Sequence, residues 1–199
     1  MIATILVGGT SRRMGRPKAW IEIGGVPAIE RVLRACEAAG LAPVFQGIDQ
    51  RATAAFPCIP AFVDDDTGQG PLAALVSAFR CTRADSLLLV ACDLPFLPSG
   101  LLIRLAASLA DRSRDWAVPL HGGRLHPLCA AYGRAAADEA AALLAVGRRS
   151  MHDLLAANGL RGTFIELEPQ WGPPDALLLN VNTPQDLEQA RLWAERMDL

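Results

Sequence analysis

The 199-residue chain is short of most patterns that mark a specialised protein class. No apolar run reaches membrane-spanning length, and Thr4 with the early glycines interrupts any signal-peptide core, so a helical membrane protein and a secreted one are both excluded as expectations. The sequence has no C-x-x-C pair. Its five cysteines (Cys36, Cys58, Cys81, Cys92 and Cys129) are scattered and odd in number, which fits reduced thiols and excludes a disulfide frame or a thiolate zinc site. Strong charge of either sign is missing too, and a net charge of −2 argues against general nucleic-acid or anionic-membrane binding. Histidines number three, with no Ser-His-Asp pattern around them. Internal repeats, low-complexity tracts and linkers are absent. With 51% hydrophobic residues, the material for a core is ample, and the expectation is one soluble, cytoplasmic domain over 1–199.

What is present is concentrated in the first loop. Ile2 to Val7 is a short apolar, β-branched run with the pattern of a buried parallel strand. Gly8-Gly9 follows, allowing a sharp turn and a close approach of backbone N–H groups to a ligand. Arg12, Arg13, Arg16 and Lys18 then place four cations within seven residues. Amides in a concavity with cations around it suit a polyphosphate. The spacing is that of neither a Walker A loop nor a G-x-G-x-x-G fingerprint. The plainer alternative is a basic, solvated surface turn.

Further along, Ile29 to Ala39 has helical periodicity with Gly40 as C-cap, and 43–46 and 61–63 read as strands. Pro71 opens a helix to Arg83. Ser86 to Cys92, apolar on both faces, reads as a central strand, and a helix follows from about Ser99 to Leu109. Trp116–Pro119 and Pro127–Tyr132 flank Gly122-Gly123 and suggest an antiparallel excursion. Helices are expected over 135–146 and after Ser150, strands over 162–167 and 177–179, and a last helix capped by Thr183 with Pro184 at its first position. The order of elements gives an open α/β sheet, mainly parallel, with a small antiparallel part in the C-terminal half.

In such sheets ligands sit beyond the carboxyl ends of the strands. Three polar clusters fall there: the first loop, Asp64-Asp65-Asp66, and Asp93. Asp93 ends an apolar strand, where a carboxylate is costly unless paired or metal-bound. Beside a polyphosphate cradle, a hard oxygen ligand calls for Mg²⁺. The competing role for Asp93 is a turn or cap, and that for the three aspartates a solvated loop.

Leu6-Val7-Gly8-Gly9-x-Ser11-x-Arg13-Met14-Gly15-x-x-Lys18 resembles the signature of the MobA-like nucleotidyltransferases. Gly70-Pro71-Leu72-Ala73, Cys92-Asp93-Leu94-Pro95, His126-Pro127-Leu128, Arg148-Arg149-Ser150 and Asn180-Val181-Asn182-Thr183-Pro184 resemble the remaining motifs, in order and over essentially the whole chain. The resemblance implies a Rossmann-like three-layer α/β/α fold. It also implies transfer of GMP from GTP to the terminal phosphate of molybdopterin, with release of pyrophosphate and with Mg²⁺ as cofactor. Cytidyl-transferring relatives usually carry Ala-Ala-Gly in place of Val7-Gly8-Gly9 and Asp-x-Asp-Thr-Pro in place of Asn180 to Pro184, so both differences favour guanine. The alternatives are a cytidylyltransferase on molybdopterin, another nucleotidyltransferase on a phosphorylated acceptor, and a non-catalytic nucleotide-binding regulator.

By the same resemblance, Leu6, Val7, Gly8, Gly9 and Lys18 bind the nucleotide, Asp65 reads the base and Asp93 holds the metal. Lys18, Arg13 and Asp93 form the catalytic set. Gln46 stands roughly where relatives have Asn at the end of the second strand, which leaves its ribose or base contact open. Asn180 and Asn182 are placed on the acceptor side; Asn182 either contacts the acceptor or supplies an oxygen to the metal, with N-terminal capping as its other role. Arg148 and Arg149 either grip the acceptor's phosphate or form a charged helix entrance. His126 reads as structural or substrate-positioning, while His121 and His152 have no assigned role. Trp20, Trp116, Trp171 and Trp193 read as packing or rim residues, with Trp20 near the first loop. Expected partners are GTP, molybdopterin and, transiently, other molybdenum-cofactor proteins; neither nucleic acid nor membrane is expected.

Overall fold

The computed structural model describes residues 1–7, 17–63 and 69–198. The strands are β1 (Ile2–Leu6), β2 (Glu22–Ile23), β3 (Val26–Pro27), β4 (Ala42–Gln46), β5 (Ala61–Phe62), β6 (Ser86–Ala91), β7 (Trp116–His121), β8 (Arg124–Leu125), β9 (Cys129–Gly133) and β10 (Gly162–Glu166). The helices are α1 (Ala28–Ala38), α2 (Gln50–Ala55), α3 (Pro71–Thr82), α4 (Ser99–Ala107), α5 (Arg134–Ala145), α6 (Met151–Leu155), α7 (Pro174–Leu177) and α8 (Pro184–Arg196). None of these helices is long and apolar enough to cross a membrane.

One sheet runs β10-β7-β9-β6-β1-β4-β5, with β8 paired to β7. The strands from β6 to β5 are parallel, as is the β10–β7 pair, while β9 is antiparallel to both of its neighbours, β6 and β7. The antiparallel element is therefore an inner strand of the sheet. It brings in Cys129 to Gly133, all buried, where an outlying ribbon would have left one face wet.

Side-chain alternation along β6 builds the layers. Leu88 and Val90 join the core under α1 and α4, whereas Leu87 and Leu89 face α3, α5 and α6. Burial on both faces is what a central strand requires, and it explains the unbroken apolar run. A third cluster seats α8 through Ala190 and Ala194 against Ile21, Ile23, Phe96 and Val181.

One expectation is corrected. Residues 177–179 do not form a strand: Pro174 stands at the first position of α7, and Ala176 and Leu177 donate their N–H groups to the Pro173 carbonyl at 2.9 and 3.2 Å. A proline with φ preset for a helical turn wins over the strand propensity of three leucines. Leu177 and Leu178 join the α1/α4 core from that turn.

Candidate active site

Beyond the carboxyl ends of β1, β4 and β6 the chain brings together residues far apart in sequence. Leu6 stands in register with Gln46 on one side and Ala91 on the other, and the Val7 N–H continues the ladder to the Gln46 carbonyl at 3.0 Å. Asp93 follows β6 after one intervening residue, Cys92. Its carbonyl accepts the Val181 N–H at 3.0 Å, which pins the 180–183 segment to the site.

Lys18 links the pieces. It sits in a single 3₁₀ turn, Lys18–Trp20, and its ammonium donates to Asn182 Oδ1 while lying 3.8 Å from Asp93 Oδ2. Three groups from the first loop, the central strand and the entry to the last helix thus meet at one point. Asp93 is only 8% exposed. Burial, with the nearby Asp186 charge, holds its carboxyl above the usual range, and the Lys18 charge and a backbone hydrogen bond offset only part of that. Its Oδ1 is buried and meets no hydrogen-bond donor among the described residues.

Asn182 presents its oxygen to Lys18 because the cap is made by others. The Thr183 hydroxyl accepts the Asp186 N–H, and the Asp186 carboxylate accepts the N–H groups of Thr183 and Asn182 at 2.8 and 2.9 Å. This capping box frees the Asn182 side chain from that duty.

Gln46 is 1% exposed, and its Nε2 donates to the Ser77 hydroxyl on α3 at 3.0 Å. Arg149 bonds Gln69 Oε1 at 3.2 Å, tying the α6 entrance to the loop that opens α3. Arg148 instead pairs with Asp153 through two contacts at 2.8 and 3.0 Å, the helix-entrance arrangement. Asn180 is half-buried just before the pinned Val181. Gly8, Gly9, Arg13 and Asp65 lie outside the described residues.

His121 meets Asp175 at 2.9 Å, and His126 is partly buried with its imidazole pushed down to about 4 by burial. Trp116 and Trp171 pack against Gly162 and Gly100 respectively. Asp49 and Ser77 escaped the sequence reading. An Asp immediately ahead of Gln50-Arg51 was a legible cap signal for Asp49, whereas Ser77 looks like any polar residue within a helix.

A sheet wound on both faces, with a lysine, a buried carboxylate and an amide oxygen gathered beyond the strand ends, defines the class of α/β proteins that bind ligands at the switch point of the sheet. The sequence pattern of the MobA-like NTP transferase domain matches residues 3–161. The molybdenum cofactor guanylyltransferase of Shewanella amazonensis is 34% identical over 196 residues, spanning 94% of this chain and 93% of its own. That of Sinorhizobium fredii is 33% identical, over 98% and 93% of the two chains. Among solved structures, the molybdopterin-guanine dinucleotide biosynthesis protein A of Archaeoglobus fulgidus superposes with a TM-score of 0.81 at 27% identity, covering 99% of this chain and all of that one. The chain belongs to the MobA-like NTP transferase family and is a nucleotidyltransferase.

Proposed function

We propose that the protein transfers GMP from GTP to the terminal phosphate of molybdopterin and releases pyrophosphate. The observation that carries this reading is the meeting of Lys18, Asp93 and Asn182, in a chain whose relatives are named guanylyltransferases.

The attacking group is a phosphate oxygen. A phosphate monoester has its second pKa near ~6, so at neutral pH it is largely dianionic and needs no general base. A new bond forms between that oxygen and the α-phosphorus of GTP, the α–β bridging bond breaks, and the electron pair leaves with pyrophosphate. The protein's task is to align the two anions and neutralise their charge.

Lys18 and Arg13 hold the triphosphate, with Leu6, Val7, Gly8 and Gly9 shaping the cradle. Asp65 reads guanine, whose N–H donors suit a carboxylate. Asn180 and Asn182 face the acceptor, and Arg149 stands at its phosphate. Asp93 fits a Mg²⁺ site: its buried Oδ1 lacks a donor among the described residues, and a hard oxygen ligand suits that cation. Bound there, Mg²⁺ would offset negative charge on the phosphates. Reaction between two soluble small molecules is consistent with a cytoplasmic setting.

Thermal stabilisation by each of the four NTPs with Mg²⁺, joined to pyrophosphate release with molybdopterin, tests the proposal. A ligand that binds only the native state raises its stability by mass action. GTP should stabilise most, and pyrophosphate should appear only when molybdopterin is added. A CTP preference would move the chain to cytidyl transfer; stabilisation without pyrophosphate would make it a nucleotide-binding regulator.

A further inference from the structure

We propose that Trp20, clamped by Asp49, is a positioning residue that sets where the Lys18 ammonium stands. The inference rests on the role of Lys18 given above.

Lys18 and Trp20 share the 3₁₀ turn. The Trp20 N–H donates to the Pro17 carbonyl at 3.1 Å, and the Ile21 N–H to the Lys18 carbonyl at 3.2 Å. A turn of three residues has little stability of its own, so its orientation depends on what holds it from outside. Buried Ala19 seats the turn in the core beside α1, and the second hold, on the Trp20 ring, comes from one short segment. The indole N–H donates to Asp49 Oδ2 at 3.0 Å, and the other Asp49 oxygen caps α2 by accepting the N–H groups of Arg51 and Ala52 at 3.0 and 3.1 Å. The Phe56 ring lies within 14° of parallel to the indole at 6.2 Å between centroids, and the Arg51 guanidinium stands 4.0 Å from the indole centroid.

Packing alone would fix the plane of the indole and leave rotation within that plane free. The bond to Asp49 fixes that rotation too. Val7 is tied to Gln46 at the end of β4, and Trp20 to Asp49 at the start of α2, three residues further on. Two residues before the second tie, Lys18 projects to Asn182 and Asp93. Loosening the tie would let the turn tilt about the buried Ala19. The ammonium would move with it, while the core under α1 would stay in place.

The test compares Trp20→Phe, which keeps an aromatic face but no N–H, with Asp49→Asn, which keeps an oxygen for the α2 cap but none for the indole. Lys18 is the only lysine, so its acetylation by an amine-selective reagent, followed at residue 18 by peptide mass spectrometry, reports its surroundings without turnover. Both variants should melt close to the parent and acetylate at Lys18 several-fold faster. Their kcat should fall about ten-fold, because a catalytic group displaced by an ångström loses up to about a hundred-fold, and KM for GTP should change little. The double variant should be no worse than either single one, since both break the same bond. Unchanged acetylation in the folded single variants, or losses that add in the double variant, overturns the proposal. Failure of GTP with Mg²⁺ to protect Lys18 in the parent protein would strike the function proposed above and leave the clamp standing.

Discussion

At the scale of single residues, the chain relies on arginine everywhere except in the 3₁₀ turn, where its only lysine stands. Arginine is a planar fork, whereas lysine is a compact charge on a flexible stem, able to sit between an amide oxygen and a carboxylate. That geometry matches the meeting of Lys18 with Asn182 and Asp93. Lys18→Ala should leave the fold intact and lower turnover by roughly 30- to 1,000-fold, the cost of about 2–4 kcal/mol for one lost charge-assisted contact at the transition state. Lys18→Arg should recover only part of it. Steady-state kinetics beside a melting curve decides the matter, and unchanged turnover in folded Lys18→Ala would remove Lys18 from the catalytic set. Both Lys18 and Asp93 were legible in the sequence as candidates, one as a cation following a Gly-Gly pair and the other as a carboxylate closing an apolar run. The clamp on Trp20 was not, because its partner lies 29 residues away and is held by a helix that periodicity did not reveal.

At the scale of elements, local chemistry fixed most boundaries. Pro71 opens α3, Thr183 and Asp186 box the start of α8, and Gly40 takes φ +68 just past α1. Several short elements were missed, among them the β2–β3 hairpin and α2, each too brief for a periodic signal. The placement of β10 beside β7 depends on a contact that no local pattern announces. A Cβ built on Gly162 would lie 1.8 Å from the Trp116 ring, a distance no rotamer adjustment of a buried tryptophan absorbs. Gly162→Ala should therefore destabilise the protein by about 1–3 kcal/mol or more through overpacking, read as a shift of the urea midpoint. GTP binding by the folded fraction should be unaffected, since the site lies across the sheet at β1 and β6. A midpoint equal to the parent's would show that the β10–β7 contact is softer than drawn.

At the scale of the whole molecule, stability couples to pH through His126, whose imidazole is pushed down to about 4 by burial first and then by Arg124 and His121. The unfolded chain takes up this proton near pH 6.5 and the folded chain only near 4, so stability is lost as pH falls through that window and is fully present above it. Melting temperatures between pH 4.5 and 7.5 should fall less steeply on the acid side for His126→Gln than for the parent, and parallel curves would show that His126 titrates alike in both states. By itself the sequence determined the class of fold, the family and the residue types at the site, because apolar runs, caps and glycine turns act over a few neighbouring positions. Tertiary structure decided where distant pieces met. The antiparallel strand β9 became an inner strand because its buried residues needed cover on both faces, and 177–179 became part of a helical turn because Pro174 preset its φ. Lys18 reached Asn182, 164 residues further on, because the Val181 N–H is held by the Asp93 carbonyl. Such a meeting depends on hydrogen bonds and packing between strand ends, and no run of neighbouring residues encodes it.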